Sequence, residues 1–327
     1  MEIGVIGVGA MGRNHLRVYT ELKGVKNVVI YDQNVAAAEE LAFAHDAVLA
    51  SSITELVGMV DALSICVPTQ YHYGVAEEVI RNGKNRLHRA ELTKNFYIAA
   101  EQAVKKGVHM LIEKPICGTV ADAHKLAALI PPGLTVGVGH IERFNPIIDE
   151  IARIVKDPLY VEMKRHNPAS ARVTGSSVVE DLMIHDIDIV VNRLFSSPYT
   201  LSCAGTSEVC GALFRFDGTP VYLSASRKSS KKIRMIYIEE EDRTIEGDFM
   251  TQEVYVYRKP ESYSLVDERY VQENIIEKVL VNKLEPLKRE LGTFVECVRA
   301  GKSFPITPGQ GIRNMEICEE IAGQCGI

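Results

Sequence analysis

The N-terminal stretch Glu2-Ile3-Gly4-Val5-Ile6-Gly7-Val8-Gly9-Ala10-Met11-Gly12 decides the fold class of this chain. An apolar run ends at Ile6, and a glycine-rich turn and a polar, helix-compatible segment follow it. This order of strand, tight turn and helix start is typical of a dinucleotide-binding loop. Such a loop brings its backbone close to a pyrophosphate and points the first N–H groups of the helix at the phosphates. We therefore predict that a nucleotide cofactor contacts Gly7, Gly9, Ala10, Met11 and Gly12.

The composition is that of an ordinary globular protein long enough for two domains. The chain has 327 residues, of which 46% are hydrophobic and 24% charged, and its formal net charge is −6. This balance argues against a nucleic-acid partner, and no apolar run is long enough to span a membrane. The seven cysteines form no C-x-x-C pair and no zinc-like spacing, so we expect free thiols, no metal and a cytoplasmic location.

An acidic residue follows the second predicted strand. Val25 to Tyr31 reads as a buried strand, and Asp32 comes directly after it, about 20 residues past the glycine loop. A carboxylate there can accept hydrogen bonds from ribose hydroxyls, and its charge repels a 2′-phosphate. The position of Asp32 therefore favours NAD over NADP.

Further buried strands predict a doubly wound parallel sheet of about six strands. Apolar runs lie at Asp61–Val67, His109–Ile112 and Thr135–Gly139, with helical segments between them. Ligands of such sheets bind beyond the carboxyl ends of the strands. His72 either faces the nicotinamide side of the cofactor or begins the next helix, and the sequence leaves both open. The residues expected at the cofactor from these strand ends are Pro68, Thr69, His72, Glu113 and Lys114.

A short repeat lies within residues 71–108. His72-Tyr73-x-x-Ala76-Glu77 is echoed 24 residues later by Phe96-Tyr97-x-x-Ala100-Glu101, and each copy runs to a glycine, Gly83 or Gly107. We interpret the repeat as an extra helix-and-turn unit in the crossover, since one helix is enough to join parallel strands.

The hydrophobic pattern changes near Pro146. Between Thr200 and Tyr257 apolar and polar residues alternate, which predicts strands with one covered and one open face. We therefore expect an α/β chain with a Rossmann domain at 1–145 and an α+β domain at 146–327. The second domain should hold a large open, mostly antiparallel sheet that binds substrate or a partner subunit.

Two groups of residues are candidates for catalysis. Lys114 precedes Pro115, which favours an extended backbone that would direct the ammonium group into the cleft. Asp181 and His185 are four residues apart on a predicted helix and share one face, where the carboxylate can orient a substrate hydroxyl and the imidazole can exchange a proton. Asp188 lies one turn further and could orient His185.

Two more groups of polar residues stand out in the sequence. The last strand of the parallel sheet leads into His140, Arg143 and Asn145, which we expect at its substrate edge. The densest basic cluster, which contains Arg227, Lys228, Lys231, Lys232 and Arg234, is interpreted as a solvated loop or strand end.

The glycine loop, Glu113-Lys114-Pro115 and Asp181-x-x-x-His185 together resemble the glucose–fructose oxidoreductase/inositol dehydrogenase (GFO/IDH/MocA) family. The resemblance covers nearly the whole chain. It implies a Rossmann domain followed by a domain whose open sheet makes oligomer contacts, as in a homodimer or homotetramer. It also implies that Lys114, Asp181 and His185 are catalytic, with a secondary alcohol giving hydride to the nicotinamide while His185 or Lys114 removes the hydroxyl proton.

The segments 139–146 and 172–176 are most similar to the branch of this family that acts on nucleotide sugars. That likeness implies oxidation of the 3-hydroxyl of UDP-N-acetylglucosamine, or of its uronic acid. The diphosphate would need cations, and the available candidates are Arg143, Lys164, Arg165 and Arg172. An NAD-dependent dehydrogenase of a free polyol such as myo-inositol, and a non-catalytic NAD-binding regulatory protein, remain the alternatives. The residues expected at the substrate are His140, Arg143, Asn145, Lys164, Arg165, Arg172, Asp181 and His185.

Overall fold

The fold is taken from a computed structural model, which describes residues 1–90, 107–168, 176–259, 263–266, 269–272 and 275–327. The described chain divides into two compact units. The first comprises Met1–Ile141 and Leu287–Arg313, and the second comprises Glu142–Pro286 and Asn314–Ile327.

The first unit is built on a six-stranded parallel sheet. Its strand order is β3-β2-β1-β4-β5-β6, the order of a dinucleotide-binding doubly wound sheet. The central strands β1, β4 and β5 are almost entirely buried, as expected for strands with helices on both faces. The predicted Rossmann fold is confirmed. The strands are β1 (Glu2–Ile6), β2 (Asn27–Tyr31), β3 (Val48–Leu49), β4 (Ala62–Ile65), β5 (His109–Glu113) and β6 (Val136–Gly139).

Side chains define the starts of several helices in this unit. Ser52 accepts a hydrogen bond from the Glu55 N–H, and Thr119 accepts one from the Asp122 N–H, so each satisfies an otherwise free donor of the first helical turn. The helices are α1 (Ala10–Glu21), α2 (Val35–His45), α3 (Ile53–Met59), α4 (His72–Ala90) and α5 (Val120–Leu129).

Helix α4 differs from the predicted helix-and-turn unit. It continues through Gly83, where a turn was expected, and ends at Ala90. A single glycine weakens a helix by only about 1 kcal/mol relative to alanine, and the good helix formers around it outweigh that amount. The second copy of the repeat falls mostly on residues 91–106, which lie outside the described residues.

The segment Leu287–Arg313 belongs to the first unit, although the predicted second domain ran without interruption from 146 to 327. Its helix α8 (Pro286–Ala300) is followed by Phe304, whose ring lies against Gly137 of β6; a Cβ on that glycine would be 2.3 Å from the ring. The N–H of Val138 donates to the carbonyl of Ile306 at 3.1 Å. The return of the chain therefore covers the edge strand β6, and no local pattern predicted it.

The second unit contains an eight-stranded sheet. Its order is β16-β13-β12-β11-β7-β10-β9-β8, and all neighbours are antiparallel except β7 and β10. The predicted open, mostly antiparallel sheet is confirmed. Its strands are β7 (Tyr160–His166), β8 (Tyr199–Gly205), β9 (Val209–Phe216), β10 (Thr219–Ser226), β11 (Ile233–Glu239), β12 (Arg243–Asp248), β13 (Glu253–Arg258) and β16 (Ile275–Val279), while β14 (Tyr263–Val266) and β15 (Arg269–Gln272) pair separately.

Helices cover one face of this sheet. Along β7 and β9 buried residues alternate with more exposed ones, as in a sheet with one packed face. The covering helices are α6 (Pro146–Ile154) and α7 (Ile184–Ile189), and α7 lies between π-helical turns at Val179–Met183 and Val190–Leu194. Helix α9 (Pro308–Cys325) ends the described secondary structure. Among the described helices, none is long and apolar enough to cross a bilayer.

Candidate active site

The glycine loop has the backbone shape that phosphate binding requires. Gly7 has a φ of +87°, and a Cβ on Gly12 would lie 1.8 Å from the carbonyl oxygen of Gly7, so neither position accepts a side chain. Gly9 caps helix α1, and apart from its chain neighbours no atom of the described residues lies within 4 Å of where its Cβ would be. The loop is therefore a cradle for a diphosphate at a helix N-terminus, with Ala10 and Met11 in the first turn.

Asp32 supports this loop from the end of β2. One carboxylate oxygen accepts the Val8 N–H at 2.7 Å, and the other accepts the Asn34 N–H at 2.8 Å. The negative charge is thus fixed directly beside the cradle. Its contact with a ribose stays a prediction.

Glu113 and His15 form a buried pair beneath the predicted catalytic lysine. The His15 ring nitrogen Nε2 lies 2.8 Å from Glu113 Oε1, and the Lys114 N–H donates to Glu113 Oε2 at 3.3 Å. Burial raises the pKa of Glu113, but His15 and Lys114 outweigh it and hold this pKa below its usual range. Gly139 leaves space for the carboxylate, since a Cβ there would be 3.0 Å from Oε1. Glu113 therefore fixes the backbone at half-exposed Lys114, whose bond to Pro115 is cis.

His72 is buried and begins helix α4. Its Nδ1 lies 2.8 Å from the Pro115 carbonyl oxygen and its Nε2 lies 2.8 Å from that of Val67. Burial lowers the pKa of His72, although both carbonyls favour the protonated ring. Both ring nitrogens contact backbone carbonyls, so His72 links the segments that follow β4 and β5. Any effect of His72 on a cofactor would therefore act through the position of these two segments. Pro68 is exposed and Thr69 half-buried in the turn that precedes it.

In the second unit, Asp181 and His185 stand out by their exposure. Both are half-buried, whereas every other residue from Leu182 to Val190 is buried. Asp181 lies in a π-helical turn, a local conformation frequent at functional sites. Ser177 and Glu180 begin the turn with reciprocal hydrogen bonds between side chain and backbone. The predicted pair is thus two half-buried polar groups on a helix whose other residues from Leu182 to Val190 are buried.

Arg227 forms an ion pair with Asp181 that the sequence did not predict. Its side chain is 7% exposed; Nε lies 3.4 Å from Asp181 Oδ2, and Nη2 donates to the Ser176 carbonyl at 2.7 Å. Glu208 Oε1 lies 3.4 Å from Nη1. Arg227 was assigned to a solvated basic cluster, and the structure corrects this, because the residue follows β10 and contacts the start of the helix that carries Asp181.

Arg165 is part of a buried ion-pair network, which contradicts its predicted contact with substrate. The side chain is 1% exposed; Nη1 donates to Glu142 at 2.8 Å, and Nη2 donates to Asp186 at 2.6 Å. Burial lowers the pKa of Arg165, but these two carboxylates outweigh it and raise the value above the usual range. Both ends of the guanidinium are used inside the protein, because an isolated charge there would be costly.

Arg143 and Asn145 are likewise engaged within the second unit. Arg143 makes a bidentate ion pair with Asp188, in which Nε donates to Oδ2 at 2.7 Å. Asn145 is buried, caps α6 and donates to the Phe249 carbonyl at 3.0 Å. Both predicted substrate contacts are replaced by internal ones. The carboxylate of Asp188 is held by Arg143, Asn192 and Asn314, and its expected part in orienting His185 stays a prediction.

Two other predicted substrate residues can be placed, and a third cannot. His140 is buried after β6. Lys164 alternates with Arg165 along β7, so it lies on the opposite sheet face, 2.9 Å from Glu162. That face is not the one covered by the Asp181–His185 helix, which argues against a shared ligand. Arg172 lies outside the described residues. Across the described side chains, no cluster of three or more His, Cys, Asp or Glu could hold a metal ion.

Comparisons with known proteins agree with the observed fold. Residues 1–88 match the GFO/IDH/MocA model, described as an oxidoreductase family with an NAD-binding Rossmann fold. UDP-N-acetylglucosamine 3-dehydrogenase of Acidithiobacillus ferrooxidans is 29% identical over 268 residues, which are 79% of this chain and 77% of that protein. A crystal structure of the same enzyme has a TM-score of 0.83 at 26% identity and covers 99% of this chain and 97% of its own.

A second relative has a different substrate in its name. Inositol 2-dehydrogenase of Agrobacterium fabrum is 28% identical over 200 residues, which are 58% of this chain and 53% of that protein. The likeness to the UDP-sugar enzyme extends further along the chain.

Proposed function

We propose that this chain is a member of the GFO/IDH/MocA family of oxidoreductases and that it oxidises the 3-hydroxyl of UDP-N-acetylglucosamine, or of its uronic acid, with NAD. The observation that carries the proposal is the likeness to a UDP-N-acetylglucosamine 3-dehydrogenase over 79% of the chain. The product would be a 3-keto nucleotide sugar. The half-exposed Asp181 and His185 supply the acid–base groups that such a reaction needs.

The residues of the first unit are proposed to hold and orient the cofactor. Gly7, Gly9 and Gly12 admit the pyrophosphate, and the N–H groups of α1 bind it. The carboxylate of Asp32 would accept the ribose hydroxyls and repel a 2′-phosphate, which selects NAD over NADP. When bound, NAD supplies the acceptor for the hydride that leaves the sugar carbon. Lys114, fixed through Glu113, would hold the reacting oxygen with its ammonium group.

The residues of the second unit are proposed to act on the sugar. Asp181 would accept a hydrogen bond from a substrate hydroxyl and so orient the ring, while His185 takes the proton of the 3-hydroxyl as general base. The sugar loses a hydride and a proton and becomes a ketone, and the enzyme gains one proton for each NADH formed. A histidine suits this step because an imidazole side chain can both accept and release a proton near neutral pH.

A substrate panel tests the proposal. UDP-N-acetylglucosamine, its uronic acid, UDP-glucose and myo-inositol are each incubated with NAD and with NADP, and NADH or NADPH formation is followed by absorbance. We expect NADH with the N-acetylated UDP-sugars and much slower reaction with NADP. NADH formation with myo-inositol alone would favour the polyol dehydrogenase that the second relative represents. The homo-oligomer, the cytoplasmic location and the substrate-binding role of the second domain stay predictions.

A further inference from the structure

Three cations and two carboxylates meet at one end of the large sheet. Arg165 of β7 lies directly opposite Arg234 of β11, and Lys232 precedes that strand. Arg165 and Arg234 share the helix-covered face, because they alternate with the open-face residues of their strands. Glu142 and Asp186 are the two carboxylates bonded to these arginines.

Arg165 and Arg234 share Glu142 but differ in their other hydrogen-bond partners and in their exposure to solvent. Glu142 Oε1 accepts both Arg165 Nη1 and Arg234 Nη1 at 2.8 Å, and Asp186 completes the partners of Arg165. The side chain of Arg234 is 27% exposed, against 1% for Arg165, and its Nε has no hydrogen-bond acceptor among the described residues. Arg234 thus forms the more exposed side of the network, with its Nε buried.

Lys232 adds a charge that the network does not balance. Its side chain is exposed beside Arg234, and the positive charge of Arg234 is the largest cause that lowers the pKa of Lys232. Two adjacent cations facing solvent repel each other, and a bound anion would relieve that repulsion.

The position relative to Asp181 follows from the strand register. Ser226, His166 and Ile233 form one row across β10, β7 and β11. Arg227, which holds Asp181, follows Ser226, and Arg234 follows Ile233. The backbones of Arg227 and Arg234 are therefore two strand spacings apart across the sheet and two residues apart along it, which is roughly 12 Å. Two long side chains can span this distance. In a nucleotide sugar the diphosphate is attached to C1, two carbons from C3.

We propose that Arg234 and Lys232 form an anion subsite that binds the diphosphate of a nucleotide-sugar substrate. The inference rests on the proposed function, and it adds two cations to the candidates for the diphosphate, Arg143, Lys164, Arg165 and Arg172. The guanidinium offers planar donors to phosphate oxygens, and the ammonium adds a second charge. Glu142 orients Arg234 from beneath, while the network below stays intact when the anion leaves.

Calorimetric titration with UDP tests the subsite without turnover. We expect Lys232→Gln and Arg234→Gln each to weaken UDP binding about 5- to 30-fold, and NADH binding to stay unchanged in both. Lys231→Gln is the matched control, since this exposed neighbour carries the same charge, and it should change UDP affinity less than twofold. Urea denaturation checks that Arg234→Gln remains folded, and Lys232→Gln tests the proposal at an exposed position.

The outcomes separate the subsite from the proposed function. Weaker UDP binding in both variants, with Lys231→Gln and NADH unaffected, supports the subsite. If the wild type oxidises UDP-N-acetylglucosamine while both variants bind UDP as it does, the subsite is wrong and the function stands. A wild type that neither binds UDP nor oxidises the UDP-sugar overturns both. Weaker NADH binding in the two variants would instead assign the cations to the cofactor and overturn the subsite.

Discussion

Replacement of Arg227 by glutamine should reduce catalysis while the cofactor still binds. Arg227 Nε lies 3.4 Å from Asp181 Oδ2, which corresponds to about 5 kcal/mol at an effective dielectric constant of about 20. Asp181 is 23% exposed, so water screens part of this interaction, and we retain roughly 1.5–3 kcal/mol. The expected loss in kcat/KM is therefore about 10- to 150-fold. It should fall mainly on kcat, because Asp181 is proposed to orient the reacting sugar.

Steady-state kinetics with UDP-N-acetylglucosamine and NAD measures this loss. Arg227→Lys keeps the charge and should recover part of the rate, and added guanidinium should partly rescue Arg227→Gln. Glu208→Gln is the matched control, because Glu208 pairs with Arg227 from the more exposed side, and less than a threefold change is expected. Wild-type kcat/KM in Arg227→Gln would refute the reasoning, as would equal losses in the glutamine and control variants.

Three further predictions follow from the same contacts. Asp32→Ser should raise the ratio of NADP to NAD utilisation at least tenfold in initial rates, and an unchanged ratio would contradict its selective role. Arg165→Met leaves the buried Asp186 without its arginine and Glu142 with Arg234 alone, and it should lower the free energy of unfolding in urea by about 3–5 kcal/mol; Asp186→Asn should cost less, because burial already raises the pKa of Asp186, and equal losses would count against this account. Glu142 has a folded pKa below its usual range because Arg165 and Arg234 outweigh its burial, so its contribution to stability is present above about pH 4.5 and is lost as the pH falls through the folded value. Glu142→Gln should therefore flatten the dependence of Tm on pH below about 4.5, and a slope equal to that of the wild type would contradict this.

The sequence predicted those features that depend on neighbouring residues. The glycine loop, the position of Asp32 and the two sheet types follow from spacing and from hydrophobic period, which are local properties. The Asp181–His185 pair was also found in this way, since four residues place two side chains on one helix face.

Partners that are distant in sequence could not be predicted. Arg165 and Asp186 are 21 residues apart, Arg143 and Asp188 are 45 apart, and the partners meet only through the packing of the helix on the sheet. A buried arginine and a phosphate-binding arginine look alike in a sequence, which is why Arg165 was assigned to the substrate. Arg227 was missed for the same reason, because its position after β10 matters only in the folded unit.

The central claim is that this chain converts UDP-N-acetylglucosamine to its 3-keto form with NAD. The most direct measurement combines NADH absorbance with mass spectrometry of the nucleotide sugar for the wild type and Lys114→Ala. We predict NADH and a sugar lighter by two hydrogens from the wild type, and NADH binding without turnover in Lys114→Ala. No NADH and an unchanged sugar mass from the folded wild type would contradict the claim, and an unchanged rate in Lys114→Ala would contradict the role of that lysine.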